Sequence, residues 1–359
     1  MTAPPYESFV AYYFSGTGNS LSAARWFAAR AAAHGLAADV RAIDRVRRPE
    51  LPAADGPLLL GFHFPTHGFT TPWLMLRFVA RFPRRRGRAV DVYLINTRAG
   101  TKLGRLFFPG VSGTAALVPL LILLFKGYRV VGTKPLDMPS NWLQIHPALT
   151  PRAATAIAAR CERQVGAFAD RLLAGGRAFQ GWWTLPLDLA LAPVSVAYLM
   201  VGRFALAKFQ VAAWTCDGCG LCALLCPAEA LRMRGGRPYW TFDCEACMRC
   251  INICPKQAVE TSHLYAVAVM YGVGVFFGWL VSRAPWWQAV KAVPVAGWLA
   301  NLAAYTAVAL PLIAATYWLL ARAMRLRPVN KAFIYTSLTK YYRRYLAPGV
   351  KAADFKRPE

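Results

Sequence analysis

Acidic side chains are scarce in this sequence. Only 17 Asp and Glu residues face 42 Lys and Arg residues along 359 positions, which gives a formal net charge of +25. A surface of this sign attracts polyanions, either nucleic acid or anionic lipid. The arginines are scattered and are not massed with aromatic residues, which argues against nucleic acid. A hydrophobic content of 56% and a mean hydropathy of +0.31 favour membrane lipid as the partner.

A secretory signal is also missing. The amino terminus, MTAPPYESF, has no basic segment followed by an apolar one. We therefore expect the amino-terminal domain to stay in the cytoplasm, where cysteines bind metals more often than they form disulfides. No pair of nucleophile and base stands out, so no catalytic residue is assigned.

Eight of the nine cysteines form two copies of the spacing C-x2-C-x2-C-x3-C-P, in CDGCGLCALLCP and CEACMRCINICP. In such a run three thiolates hold one cluster, and the fourth binds the other cluster. We therefore assign four cysteines to each of two [4Fe-4S] clusters. The first cluster is bound by Cys216, Cys219, Cys222 and Cys254. The second cluster is bound by Cys244, Cys247, Cys250 and Cys226. Two zinc sites are the alternative, but zinc does not explain a repeated third and fourth cysteine followed by proline.

Between the two motifs, ALRMRGGRPYWTFD has a Gly-Gly turn that predicts a hairpin. With the cysteines, this makes residues from about Thr215 to Thr261 resemble a bacterial ferredoxin domain with two [4Fe-4S] clusters. The ninth cysteine, Cys161, lies alone in the helical stretch RAATAIAARCERQVGAFADRLL, and we expect an inert helix residue there.

The stretch SGTGNS lies between the apolar run FVAYYF and the helical run LSAARWFAARAAA. A strand, a Gly-rich turn and a helix start form an anion site. A triphosphate loop would need a lysine after Gly18, and a dinucleotide loop would need a third glycine where Leu21 stands. Asp39 or Asp44 could still serve a dinucleotide ribose. A plain capping turn, with Asn19 or Ser20 as the cap, is a further alternative.

The phosphate of FMN is the remaining ligand for this loop. The stretch fits the form [ST]-x-T-G-x-[ST] at every position and resembles the phosphate loop of flavodoxins. Amides and hydroxyls alone can satisfy a phosphate in such a loop. The candidate phosphate-binding residues are Ser15, Gly16, Thr17, Gly18, Asn19 and Ser20.

The elements that follow predict an α/β flavodoxin-like doubly wound parallel sheet. Further strands are expected in VRAID, PLLLGFHF, AVDVYLIN and YRVVGTKPL. Ligands of such sheets lie at the carboxyl ends of the strands. The loops PTHGFTTPW and TRAGTKLG therefore supply candidate flavin-ring contacts, which are Pro65, Thr66, His67, Gly68, Thr97, Arg98, Ala99 and Gly100. His63, within its strand, is expected to be a core residue, whereas His67 is either a ring contact or solvent-exposed.

The segment DMPSNWL after the fifth strand resembles a Met-Pro-Ser-Asn-aromatic segment of a fused family. In that family a flavodoxin-like domain precedes a two-cluster ferredoxin domain, and this chain is similar to it from about Tyr6 to Thr261. The resemblance implies FMN and two [4Fe-4S] clusters as cofactors.

Two long runs without charge, Leu264 to Val281 and Ala292 to Ala321, predict a two-helix transmembrane hairpin. Four cations follow the second run within ten residues, against two cations between the runs. This bias places the cofactor domains on the cytoplasmic side of an inner (cytoplasmic) membrane. The four cations are Arg322, Arg325, Arg327 and Lys331.

Three other stretches have two interpretations each. The later part of Leu106 to Phe125 is expected to be a sheet-covering helix rather than a span. Trp182 to Gly202 either lies along the membrane surface or connects domains. The tail FIYTSLTKYYRRYLAPG suits either the lipid headgroups or solvent.

These expectations divide the chain into five segments. They are 1–178, a flavodoxin-like FMN-binding domain; 179–212, an apolar connector; 213–262, a ferredoxin domain; 263–323, the transmembrane hairpin; and 324–359, a basic aromatic tail. The expected function is electron transfer between FMN and two clusters, with a redox partner protein such as a lipid- or isoprenoid-modifying membrane enzyme. The alternative is a self-contained membrane oxidoreductase that reduces a quinone or an unsaturated lipid.

Overall fold

A computed structural model describes residues 5–46, 48–53, 56–85 and 89–356 of the chain. Residues 1–4, on which part of the signal-peptide prediction rests, lie outside this range. The chain divides into two compact units, which are described separately below. The sheet unit comprises Met1–Trp142, Pro147–Ser195 and Arg343–Glu359, and the cysteine unit comprises Leu143–His146 and Val196–Tyr342.

The sheet unit is built on one seven-stranded sheet. Its strands are β1 Ser8–Tyr13, β2 Ala37–Ala42, β3 Leu58–Pro65, β4 Val90–Leu103, β5 Leu106–Phe108, β6 Arg129–Pro139 and β7 Ala178–Phe179. Six strands are parallel in the order β2-β1-β3-β4-β6-β7, and β5 pairs antiparallel with β4. The first five strands of this path have the flavodoxin-like order, which confirms the predicted α/β fold of this unit.

The helices of the sheet unit cover both faces of the sheet, as parallel strands require. In chain order, the helices as far as the unit boundary are α1 Asn19–Ala33, α2 Trp73–Arg81, α3 Leu117–Phe125, α4 Pro151–Leu173, α5 Leu185–Ala190 and α6 Ala192–Ala197. Helix α1 packs against α4, where Arg30 forms an ion pair with Asp170. Below them, the ring of Phe27 stacks on Tyr93 with 4.3 Å between centroids.

The predicted loop at Thr97 to Gly100 is wrong, because β4 continues through these residues. Thr97 pairs with Leu136 and Gly100 with Pro139 in the parallel ladder with β6. Beyond them, β4 turns into an antiparallel hairpin with β5. The backbone groups of these residues are therefore used in strand pairing, which a Gly- and Thr-containing segment does not indicate by itself.

The stretch from Leu106 to Phe125 folds as β5 followed, after an intervening loop, by α3. Its later part is therefore a helix of the sheet unit, as predicted. The sequence does not predict strand β7, because two residues are too short to produce a strand pattern.

The cysteine unit contains a small α+β region with two antiparallel strand pairs. In chain order its elements are α7 Arg203–Lys208, β8 Gln210–Ala212, α8 Leu221–Leu224, β9 Leu231–Arg234, β10 Arg237–Trp240, α9 Arg249–Ile253 and β11 Val259–Thr261. Strand β9 pairs with β10 and β8 pairs with β11. The turn between β9 and β10 is the predicted Gly-Gly turn, with φ of 57° at Gly235 and 72° at Gly236.

Four further helices complete the cysteine unit: α10 His263–Ser282, α11 Trp286–Ala292, α12 Ala296–Ala323 and α13 Arg327–Tyr335. Helices α10 and α12 are each long and apolar enough to cross a membrane. Helix α12 begins four residues later than the predicted run, because Pro294 cannot continue a helix from α11.

A third apolar stretch of helix is bent. Trp182–Ala190 and Ala192–Lys208 together pass the length and composition criteria for a span, but the two parts meet at 60°. Within the cysteine unit, Ala205 of α7 shares an apolar core with Val269 of α10 and Ile313 of α12. This packing joins the end of the bent stretch to the two apolar helices.

Candidate functional site

The stretch SGTGNS forms the turn between β1 and α1, as the sequence predicts. Strand β1 ends at Tyr13 and α1 begins at Asn19, with Gly18 as the N-cap at a φ of 103°. A positive φ of this size is open to glycine and strained for other residues. The first amides of α1 have no acceptor within the helix, so this turn presents N–H groups and the positive end of the helix dipole.

Hydroxyl groups fix the loop from inside. The amide of Gly18 donates to Ser15 Oγ at 3.0 Å. The hydroxyls of Ser20 and Thr97 are 3.1 Å apart, which links the start of α1 to β4. These hydroxyl residues are at most 4% exposed. The loop is therefore an ordered, hydroxyl-lined cradle at the carboxyl end of the sheet.

The segment after β6 holds the other side of the loop. Asn19 Nδ2 donates to the Pro139 carbonyl at 3.0 Å, and Asn141 Nδ2 donates to Thr17 Oγ1. Both partners belong to the stretch DMPSNWL that the sequence singled out. This stretch therefore contacts the candidate phosphate loop directly.

The turn after β3 lies beside β4 at the same end of the sheet. Pro65 is the last residue of β3, and the Thr66 amide donates to the Thr97 carbonyl at 2.7 Å. His67 and Thr70 exchange backbone hydrogen bonds at 2.9 and 3.0 Å, and Gly68 at the tip has a φ of 53°. Pro65, Thr66 and Thr97 are thus brought together, as expected for residues near one ligand.

The rest of the second predicted group faces elsewhere. Arg98 Nε donates to Asp137 Oδ1 at 2.6 Å. Gly100 is packed so closely that a Cβ there would lie 2.5 Å from the Asp137 carbonyl oxygen. Ala99 lies between them in the strand ladder. The structure therefore places Arg98 and Gly100 against β6.

His63 is a core residue, as predicted. It is fully buried, and its Nε2 lies 2.9 Å from the hydroxyl of Tyr93. Burial lowers the pKa of His63 to about 3, because a charged imidazole would lose its hydration there. The side chain is therefore neutral at physiological pH.

The carboxyl-terminal segment Arg343–Lys356 covers the phosphate loop, a contact that sequence reasoning missed. Tyr345 Oη donates to Asn19 Oδ1 at 2.6 Å, and the Ala347 amide donates to the Thr17 carbonyl at 2.8 Å. Val350 packs against Gly18, where a Cβ would meet its methyl groups at 2.9 Å. We call this segment the tail strap.

The far end of the tail strap is held by charge. Arg25 of α1 forms an ion pair with Asp354 at 2.7 Å, and Arg45 donates to the Asp354 carbonyl at 2.9 Å. The buried Phe355 anchors the same end. Tyrosines mixed with cations predict a tail that lies either at lipid headgroups or in solvent. No local signal in the sequence identifies a contact with residues more than 300 positions away.

In the cysteine unit, one small cavity brings together four cysteines from both motifs. Cys226 is the last cysteine of the first motif, and the other three come from the second motif. They are Cys244, Cys247 and Cys250. The Ala230 amide donates to Cys226 Sγ at 3.3 Å, and the Ala246 amide lies 3.4 Å from Cys244 Sγ. This set matches the ligands that the sequence assigns to the second cluster.

The other four cysteines also influence one another. Burial, and after it the charges of Cys254, Cys216 and Cys219, raise the pKa of Cys222 to about 12. The Ala258 amide donates to Cys254 Sγ at 3.2 Å. Cys254 of the second motif thus lies near Cys222 of the first motif.

Both cysteine loops use the same backbone conformation. The residues with positive φ stand at equivalent places in the two motifs, two and four positions after the first cysteine. They are Gly218, Gly220, Ala246 and Met248, with φ of 76°, 73°, 48° and 61°. Such residues turn successive amides toward one side and form nests that suit anionic clusters. Non-glycine residues rarely adopt this conformation, so the second loop keeps it at a cost.

Within the described residues, no group of three or more His, Cys, Asp or Glu side chains is arranged to hold a metal ion. A four-iron cluster makes a different demand, because each of its four cysteines binds its own iron atom.

Cys161 is separate from both sets. It is buried in α4, and its thiol donates to the Asp137 carbonyl at 3.3 Å. Burial raises the pKa of Cys161 to about 12, so the thiol stays protonated. This agrees with the predicted inert role.

No protein-family model and no curated protein matches the chain. Among solved structures, an archaeal flavodoxin is similar with 13% identity and a TM-score of 0.28, covering 45% of this chain and 96% of the flavodoxin. The rubredoxin:oxygen oxidoreductase of Desulfovibrio gigas is similar with 15% identity and a TM-score of 0.25, covering 46% of this chain and 37% of that protein. At these values the fold assignment rests on the strand order and not on the similarities.

Proposed function

We propose that this protein is a membrane-held electron-transfer protein that carries FMN in its sheet unit and two [4Fe-4S] clusters in its cysteine unit. The observation that carries the proposal is the cavity shared by Cys226 and three cysteines of the second motif. The spacing of the cysteines along the chain predicts the same crossed arrangement independently. A zinc site would give no reason for it.

The phosphate loop supports FMN as the second cofactor. Its amides lie at the start of α1, and its buried hydroxyls lie at the carboxyl end of the central strands. Strand order puts this loop at the topological switch point, where doubly wound sheets bind their ligands. In the proposed complex Ser15, Thr17 and Ser20 bind the phosphate, and Pro65, Thr66 and Thr97 lie beside the flavin.

The chemistry follows from the cofactor pair. A bound flavin exchanges one or two electrons and a cluster exchanges one, so together they connect pair and single-electron reactions. The chain's own contribution is to fix the phosphate with neutral donors, to surround each cluster with backbone amides, and to exclude water with the tail strap. Hydrogen bonds to the cysteine sulfurs are one means of setting a cluster potential.

The two apolar helices support a membrane location. We place the cofactor-bearing units on the cytoplasmic side, because Arg322 stands in the last turn of the second helix and Arg325 and Arg327 follow closely after it. The acceptor or donor would then be a second protein in the bilayer, such as a lipid- or isoprenoid-modifying enzyme.

Anaerobic reduction of the full chain in detergent tests this proposal. We expect one reductive titration to change both the flavin absorbance and the electron paramagnetic resonance signal of the clusters. The Cys161→Ala variant should behave as the wild type, and Cys247→Ala should lose part of the cluster signal and keep the flavin. Reduction of an added quinone or unsaturated lipid by the isolated chain, with multiple turnovers, would refute the carrier role and show a self-contained oxidoreductase.

A further inference from the structure

A second cavity of about 360 Å³ lies in the sheet unit, at the edge of the sheet beside β6. Strand β7 pairs only with Gly132 and Thr133 of β6, so the ladder stops where the cavity begins. Helix α4, the hairpin of β4 and β5, and the turn after β7 form its walls. Its volume is in the range of small-molecule binding sites.

The walls of this edge cavity carry an excess of positive charge. Three cations line it, which are Arg98, Lys134 and Arg160, and Asp137 is the one carboxylate among its described lining residues. Arg98 uses Nε and Nη2 for Asp137, at 2.6 and 3.4 Å. Its buried Nη1 has no hydrogen-bond partner within the described part of the chain.

Lys134 is the second buried cation of the cavity, and it also has a hydrogen-bond partner in the wall. Lys134 is 5% exposed, and its Nζ donates one hydrogen bond to Gln180 Oε1 at 2.6 Å. An ammonium group has three donors, and the hydrogen bond to Gln180 uses one of them. The same ammonium lies 5.9 Å from the centre of the Phe168 ring. Burial lowers the pKa of Lys134, which reflects the cost of keeping this charge away from water.

The third cation of the cavity, Arg160, lies against an aromatic side chain. The guanidinium carbon of Arg160 lies 4.5 Å from the centre of the Phe107 ring, a cation–π distance. Arg160 itself is exposed. The lining of the cavity thus combines two buried cations, an apolar ring and a third, exposed cation.

Two buried cations against one carboxylate are costly unless a further anion neutralises them. An inorganic ion would fill only a small part of the cavity. We propose that the edge cavity binds a small organic anion, whose phosphate or carboxylate group lies between Arg98 Nη1 and Lys134 Nζ and whose apolar part lies against Phe107. This site is separate from the phosphate loop and does not depend on the proposed function.

Calorimetric titration of the full chain in detergent tests this site with three probes of similar size. Phenyl phosphate and benzoate carry the two candidate acid groups, and phenol is the neutral control. We expect saturable binding of at least one acid and at least tenfold weaker binding of phenol. The stronger of the two acids identifies the preferred group. Absence of saturable binding of both acids, or equal binding of phenol, would overturn the proposal.

Variants locate the binding. Lys134→Met and Arg160→Gln should each weaken binding of the better acid at least tenfold, while Arg163→Gln, an exposed cation on the same helix, should leave it unchanged. Arg160→Gln is at the surface and should fold normally even if Lys134→Met does not. Thr17→Ala in the phosphate loop should also leave acid binding unchanged. Unaltered binding in Arg160→Gln, or loss in Thr17→Ala, would contradict this location, whereas absence of flavin from the chain would contradict only the proposed function.

Discussion

Gly18 joins the phosphate loop to the tail strap, so its replacement tests both at once. Alanine at this position must adopt a φ of 103°, and its methyl group would lie 2.9 Å from both Val350 methyl groups. Ordinary carbon contacts are about 3.5–4.0 Å long, so the strap or the loop has to move. Backbone strain of this kind costs about 1–3 kcal/mol.

The strain should appear in the affinity for FMN. A loop without ligand can relax by shifting, whereas a bound phosphate needs its amides in the strained conformation. Gly18→Ala should therefore weaken FMN binding by about 5- to 150-fold, which corresponds to about 1–3 kcal/mol. The measurement is the dissociation constant from quenching of flavin fluorescence when FMN is added to flavin-depleted full chain.

Two companion variants separate strain from contact. Gly35 also has a positive φ, of 82°, but open space surrounds it. The Gly35→Ala variant should therefore leave the FMN affinity unchanged. Val350→Ala combined with Gly18→Ala removes the methyl groups that clash, and it should restore part of the lost affinity. An affinity of Gly18→Ala within twofold of the wild type, or no recovery in the double variant, would refute the reasoning.

Three further predictions concern the clusters, a buried histidine and the membrane orientation. Cys219→Ala and Cys247→Ala should each remove about half of the iron and keep the flavin, and full iron content in either variant would contradict the ligand assignment. His63 has a folded pKa of about 3 against an ordinary value of 6.5. The unfolded chain therefore binds a proton between these pH values that the folded chain does not, and stability falls by up to about 1.4 kcal/mol per unit as the pH drops through this window. Nuclear magnetic resonance of the imidazole should show no protonation of His63 down to pH 4.5, and a titration near 6.5 would contradict its burial. Finally, a membrane-impermeant maleimide should label Ser282→Cys in intact cells but Thr336→Cys only after lysis, and the reverse pattern would contradict the orientation.

Local patterns were sufficient for the phosphate loop and the cysteine loops. The turn before α1 follows an apolar strand. Among the described residues of this turn, Gly18 has a positive φ, which glycine adopts readily. The spacing of the two cysteine motifs predicts that Cys226 lies with the first three cysteines of the second motif, and these four cysteines line one cavity. The Gly-Gly turn between β9 and β10 is likewise a short-range signal.

Pairing between distant segments could not be predicted in this way. Thr97 to Gly100 look like a loop, but their backbone groups are paired with a strand more than 35 positions later. The tail strap reaches the phosphate loop through Tyr345 and Val350, whose own neighbourhood suggests only a basic tail. The edge cavity lies where the pairing of β7 with β6 stops after two residues, and the length of this pairing depends on packing rather than on a sequence pattern.

The central claim is that one chain holds one flavin and two clusters. The most direct measurement is the iron, acid-labile sulfide and flavin content of the full chain after anaerobic purification in detergent. The account predicts about eight iron atoms, about eight sulfides and about one FMN per chain. Iron without flavin, flavin without iron, or zinc in place of iron would contradict it.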